Sequence, residues 1–151
     1  MKIHSVWSRL MRRLVCVLAL AAAGLIACGA QASAAEITWA SSFDEAFKAA
    51  KEKNLPIMID VYTDWCGWCK KLDKDVYTAD NVVQLSQKFV CLKLNPEKDK
   101  EHGELFKVEG YPTIVFTDVN RKELHRIDGY LAANEFAAEM RKALDAFSGK
   151  K

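Results

Sequence analysis

Apolar positions along this chain follow three rhythms, and each predicts a different kind of element. The first is an uninterrupted run, Leu14 to Ala27, with no charged residue in it. The second is strand-like. Ile57-Met58-Ile59-Asp60-Val61-Tyr62, Phe89-Val90-Cys91-Leu92-Lys93-Leu94 and Thr113-Ile114-Val115-Phe116-Thr117 are nearly continuous apolar runs of strand length, as suits strands covered on both faces. A shorter stretch, Glu36-Ile37-Thr38-Trp39, reads as a first strand, and Glu123 to Ile127 reads as the return arm of a hairpin after turn residues 118–121. The third rhythm is helical: Phe43, Ala46, Phe47 and Ala50 follow a capping box formed by Ser42 and Glu45. Similar spacing predicts a helix entered near Cys66, one over 79–87 with Val82, Val83 and Leu85 as buried candidates, and a short one within 99–107. The last covers 133–147, with Phe136, Met140, Leu144 and Phe147 on one face. Strands alternating with helices, then a hairpin and a final helix, predict an α/β fold with a central mixed sheet and helices on both faces.

The first run lies apart from this pattern. Lys2, Arg9, Arg12 and Arg13 precede it, and no acidic residue occurs before Glu36. A basic start followed by about fourteen apolar residues is a secretory signal, and it is shorter than the roughly 20 residues that span a bilayer. Two processing patterns overlap at its end. Ala32-Ser33-Ala34 would leave Ala35 as the first mature residue, giving a signal peptide over 1–34 and one domain over 35–151. Leu25-Ile26-Ala27-Cys28 instead resembles the bacterial lipoprotein box, which would place a lipid on Cys28 and tie the protein to a membrane. Either route delivers the domain to the periplasm or cell envelope.

Removing the signal changes both charge and cysteine content. The formal charge of +2 becomes about −2, because four of the 22 basic residues leave and all 20 acidic ones stay. No basic patch for nucleic acid remains. Of five cysteines, Cys16 leaves with the signal and Cys28 is either removed or lipidated, so Cys66, Cys69 and Cys91 remain. An odd number argues for one special pair and one leftover thiol rather than a structural disulfide framework.

The special pair is Cys66-Gly67-Trp68-Cys69. A thiol at a helix start meets unpaired backbone N–H groups and the positive end of the helix dipole. About 2 kcal/mol from that source lowers a thiol pKa by somewhat more than one unit, raising the thiolate fraction at pH 7 from roughly 3% to roughly a third. Cys66 is therefore the expected nucleophile, and Cys69, one turn further in, is expected to resolve the mixed disulfide. Asp60, in an otherwise apolar strand, would have a raised pKa if buried and could accept a proton; a turn-capping role is the plainer alternative. Trp65 and Trp68 are read as an apolar rim for a polypeptide, or individually as core. Cys91 reads as an inert core thiol rather than half of a regulatory disulfide. His102 and His125 read as surface or hairpin residues rather than ligands.

The run from Ile59 to Lys70 resembles the active-site strand and helix start of the thioredoxin family, with the acid six positions before the first cysteine and a tryptophan just before it. Lys93 is similar to the family's strand lysine, Gly110-Tyr111-Pro112-Thr113 to its cis-proline loop, and Gly129 to its glycine before the last helix. The resemblance runs from about Ile37 to Phe147. It implies a thioredoxin fold, a redox disulfide between Cys66 and Cys69, Lys93 beside Asp60, and a cis Tyr111-Pro112 bond next to the cysteines. Backbone groups of Tyr111, with Trp65, Gly67, Trp68 and Pro112, would then receive substrate. The chain departs from thioredoxin itself at Gly67-Trp68, where Gly-Pro is usual, and that dipeptide influences the redox potential.

The expected function is a thiol–disulfide oxidoreductase acting on protein disulfides. Reductase is favoured over oxidase or isomerase, because the domain is small, has no added dimerisation segment and keeps the Asp60 and Lys93 pair. It would act as a monomer, need no cofactor or metal, and draw electrons from a membrane donor. The alternative is a metal-binding module holding copper through the two cysteines and a histidine, since thiolates suit Cu(I).

Overall fold

The computed structural model describes residues 36–149. The signal segment, its cleavage site, Cys16 and Cys28 lie outside the described residues. In chain order the elements are β1 (Trp39–Ala40), α1 (Phe43–Lys53), β2 (Ile57–Val61), α2 (Gly67–Asp75), α3 (Asp80–Ser86), β3 (Val90–Leu94), α4 (Lys100–Gly103), a 3-10 turn (Glu104–Phe106), β4 (Thr113–Thr117), β5 (Glu123–Asp128) and α5 (Ala133–Ser148).

Helix α1 starts where Ser42 caps it: the Glu45 N–H donates to Ser42 Oγ at 3.2 Å. The reciprocal half of the expected capping box is displaced by one residue, because the Glu45 carboxylate accepts from the backbone N–H of Ser41 at 2.8 Å. Asn54 ends the helix in the left-handed conformation, a role its short polar side chain tolerates. The first strand is shorter than expected, two residues beginning at Trp39. The segment read as one short helix over 99–107 divides into α4 and the 3-10 turn.

The sheet has the order β1-β3-β2-β4-β5. Strands β1, β3 and β2 run parallel; β4 is antiparallel to β2, and β5 is antiparallel to β4 with an irregularity at Phe116/Thr117. Every residue of β2 is buried, so its two faces feed two cores. Ile57, Ile59 and Val61 join Phe43, Ala46, Ala50, Leu92, Phe106 and Val115 on one side. Met58 joins Leu72, Val76, Val82, Phe116, Phe136 and Met140 on the other. Strand alternation puts Asp60 on that second face, among the helices that follow the cysteines. In α5 the covered positions are Phe136, Ala137, Met140 and Ala143; Leu144 and Phe147 are only half-buried. Among the described residues no helix is long and apolar enough to cross a membrane.

Candidate redox site

The site forms where β2 leaves the sheet and α2 begins. Tyr62 N–H still donates to Leu94 O at 3.0 Å, extending the pairing with β3 by one residue, and Cys66 N–H donates to Thr63 O at 3.2 Å as the chain turns. Cys66 is the N-cap of α2, and its Sγ accepts the N–H of Cys69 at 3.0 Å. Sulfur thus takes the place of the oxygen that usually caps a helix. Cys66 and Cys69 are joined in a disulfide with Cα atoms 5.3 Å apart, and both are buried. The difference in exposure expected between them is slight, 5% against 2%.

Asp60 is 1% exposed. Burial pushes its carboxyl pKa up, opposed by the Lys93 ammonium. Lys93 Nζ donates to Asp60 Oδ2 at 2.8 Å and to Asp73 Oδ1 at 2.5 Å, so one ammonium bridges two carboxylates. Three rings surround the same nitrogen: Trp39 and Tyr62 at 5.0 Å and Tyr77 at 5.2 Å from their centroids. Burial works to lower the Lys93 pKa, but the two carboxylates outweigh it and the net shift is upward. Tyr77, pushed well above the ordinary phenol range by burial and by Asp60, stays neutral. Its hydroxyl lies toward Asp60 without closing a hydrogen bond, and Asp60 Oδ1 is likewise unpartnered.

Asp73 and Tyr77 were not among the sequence candidates. The signal for Asp73 is its spacing: it lies four residues after Cys69 and so shares that helix face. Tyr77 follows four residues later, just beyond the helix end, and gave no comparable signal.

The opposite wall comes from the loop before β4. The Tyr111-Pro112 peptide is cis. Gly129 N–H donates to Pro112 O at 2.8 Å, and Gly129 itself has φ +93°, a conformation that side-chain-bearing residues rarely adopt. Trp65 and Trp68 are 67% and 56% exposed, so neither is core. Trp65 meets Tyr111 edge-on at 5.7 Å, and Trp68 leans on Tyr130 at 5.4 Å. Trp68, Tyr111, Gly129 and Tyr130 enclose a depression of about 290 Å³.

Cys91 lies elsewhere, buried in β3 with Sγ 3.8 Å from Ser86 O, and burial pushes its thiol up to about 12. His102 pairs with Asp99 and stacks on Phe43, while His125 pairs with Glu139. Both imidazoles are thus engaged with partners other than the cysteines. No group of three or more His, Cys, Asp or Glu among the described residues could hold a metal ion.

A Thioredoxin-like family model matches residues 38–118, which contain the disulfide, its acid and lysine, and the cis-proline loop. The chain belongs to the thioredoxin-like family. With a closed Cys66–Cys69 pair at the head of a helix in that fold, it is a protein thiol–disulfide oxidoreductase domain. Among curated relatives, the thiol:disulfide interchange protein DsbD of Pseudoalteromonas atlantica is 31% identical over 108 residues, which are 68% of this chain and 18% of that protein. The chain therefore spans under a fifth of the length of the curated relatives it matches. Among solved structures, the DsbH oxidoreductase superposes with a TM-score of 0.67 at 23% identity, covering 74% of this chain and 87% of that one. The oxidised C-terminal domain of Neisseria meningitidis DsbD gives a TM-score of 0.56 at 17% identity, covering 65% and 89%. These two likenesses are of fold.

Proposed function

We propose that this protein is an envelope thiol–disulfide reductase in which Cys66 attacks a protein disulfide and Cys69 resolves the resulting mixed disulfide. In the first step the Cys66 thiolate bonds to one substrate sulfur and the other leaves as a thiolate. In the second, Cys69 Sγ bonds to Cys66 Sγ and releases the first substrate sulfur, so the substrate gains two electrons and the pair becomes the disulfide. The proton lost by Cys69 goes to Asp60, a buried carboxylate of raised pKa on the sheet face beneath α2, with Lys93 holding it in place. An extended substrate segment lies along the Tyr111-Pro112 backbone, between Trp65 and the Gly67-Trp68 turn.

The direction rests on one observation: the charge cluster behind the dithiol is the buried Asp60, the partly exposed Lys93 and the exposed Asp73, with Lys93 its one cation. With Asp60 protonated the cluster is neutral, and with Asp60 ionised it carries one negative charge. Neither state offers a net positive charge to a thiolate. A strongly oxidising dithiol needs its reduced, thiolate form stabilised, so this cluster favours the disulfide and hence a reducing couple.

The basic and apolar residues of the segment 1–34 support a location outside the cytoplasm, with cleavage after Ala34 or lipidation at Cys28 as the two routes. A reductase there must be re-reduced across the membrane, and the similarity to DsbD supports a membrane electron donor. The domain works as a monomer. The test is the reduction potential of the Cys66–Cys69 couple, measured against glutathione or dithiothreitol. A value near or below about −230 mV supports the reductase, and one near about −120 mV reverses the direction.

A further inference from the structure

Two buried polar atoms behind the redox pair lie toward each other, and neither has a hydrogen-bond partner among the described residues. They are Asp60 Oδ1 and the Tyr77 hydroxyl, on residues that are 1% and 6% exposed. A hydroxyl buried without a partner is costly, and a phenylalanine would fill the same space without that cost. The ring is fixed independently of its hydroxyl. It meets Trp39 edge-on at 5.1 Å and Phe136 edge-on at 5.6 Å, and Lys93 Nζ lies 5.2 Å from its centroid. The Tyr77 N–H donates to Leu72 O at 3.1 Å, which holds the backbone against the end of α2. With ring and backbone held, the hydroxyl stays out of reach of water.

The two oxygens of Asp60 thus differ. Oδ2 is taken by the Lys93 ammonium at 2.8 Å, so Oδ1 is the oxygen left to carry a proton. An ammonium can only donate, which suits the ionised carboxylate alone. A phenol can donate to the ionised oxygen and accept from the same oxygen once it is protonated. Burial and the Asp60 charge keep the phenol itself neutral, so it serves both states without titrating. The other ionisable groups facing this pair are Asp73 and the two cysteines from α2, and Lys93 and the un-ionised thiol of Cys91 from β3. Strands β1 and β4 and helices α3 and α5 meet it with apolar side chains.

We propose that Tyr77 is a positioning residue for proton transfer: its hydroxyl donates to Asp60 Oδ1 while the carboxylate is ionised and accepts from that oxygen once it is protonated. This rests on the reading that Asp60 takes the proton lost by Cys69. The hydrogen bond to the charged oxygen is the stronger of the two, so the phenol favours the ionised carboxylate and keeps it ready to receive a proton. No proton passes through Tyr77, which acts only through Asp60.

Carboxyl-carbon NMR of the oxidised protein reads the Asp60 titration directly. Tyr77→Phe keeps the ring and should move that titration up by about one pH unit, the scale of one hydrogen bond to a charged group. The acid limb of kcat for protein-disulfide reduction should move up with it, so that kcat falls about tenfold on that limb and is unchanged on the plateau. In an Asp60→Asn background, Tyr77→Phe should change kcat no further. An Asp60 titration that stays in place or moves down overturns the inference. So does a kcat lowered equally at every pH, which loss of packing alone would give, or a further fall in the Asp60→Asn background. Asp60→Asn by itself separates the two readings. If it loses the acid limb while Tyr77→Phe leaves that limb in place, the role of Tyr77 alone falls; if it keeps the limb, Asp60 is not the base and this inference falls with that reading.

Discussion

Lys93 is the residue whose removal should most clearly expose how the site is balanced. Its ammonium lies 2.8 Å from the Asp60 carboxylate, which is almost wholly buried and has one unpartnered oxygen. At an effective dielectric constant of about 20, that separation corresponds to a gross attraction of about 6 kcal/mol, from which the desolvation of both ions is to be subtracted. Breaking a buried pair by deleting one member costs about 3–5 kcal/mol. Lys93 is 24% exposed, so water can partly replace it, and the low end of about 3 kcal/mol is expected for Lys93→Met. The second pair, to an Asp73 that is 47% exposed, adds under about 1 kcal/mol.

The loss should depend on pH. Asp60 has a raised pKa in the fold, so the native state holds that proton more tightly than the unfolded chain does. Stability due to it is greatest below the unfolded value of about 3.9 and falls as pH climbs to the raised native value. Without Lys93 nothing comparable opposes the upward shift, so the window extends to higher pH and the penalty is largest above it. Urea unfolding of the oxidised protein at pH 8 should show the midpoint lowered by about 2 M, taking a slope of about 1.5 kcal/mol per M. At pH 5 the decrease should shrink to about 1 kcal/mol, the part due to the aromatic rings around the ammonium. An equal decrease at both pH values would refute the reasoning and make Lys93 a packing residue.

Three other outcomes follow from the same structure. Asp60→Asn should slow protein-disulfide reduction by about 100-fold, the low end of the roughly 100- to 10,000-fold that a general base contributes, and flatten the pH–rate limb that Asp60 sets; the check is kcat from pH 5 to 9. Alkylation of the reduced protein at pH 8 should label Cys66 and spare Cys91, whose thiol is buried and shifted up to about 12, and Cys91→Ala should keep its activity; peptide mass mapping decides. Gly103→Ala should destabilise by about 1–3 kcal/mol, because a Cβ there would sit 2.4 Å from Pro96 Cβ and 2.9 Å from Pro96 Cα; thermal unfolding measures it.

Much of this was legible in the sequence because the signals were periodic or tied to one residue type. The apolar run of β2, the capping serine of α1 and the Thr113–Thr117 strand each needed only local chemistry. The active-site pair and its acid were readable because a charge inside an apolar strand is conspicuous. The short first strand was less readable: Ile37 turns into the core ahead of it, and only Trp39 and Ala40 pair with β3. Asp73 and Tyr77 escaped because their roles depend on which loop faces which across the sheet. An acidic residue on a charged helix looks like a solvated surface until Lys93 is brought to it. The tryptophans could be read either as rim or as core, and the exposure of both excludes the core.

The central claim, that Cys66 attacks and Cys69 resolves, is tested most directly by trapping the intermediate. Incubation of reduced Cys69→Ser with a protein disulfide should accumulate a one-to-one mixed disulfide through Cys66, visible by non-reducing electrophoresis and mass spectrometry, whereas reduced Cys66→Ser should accumulate none. Equal trapping by Cys66→Ser, through Cys69, would contradict the account.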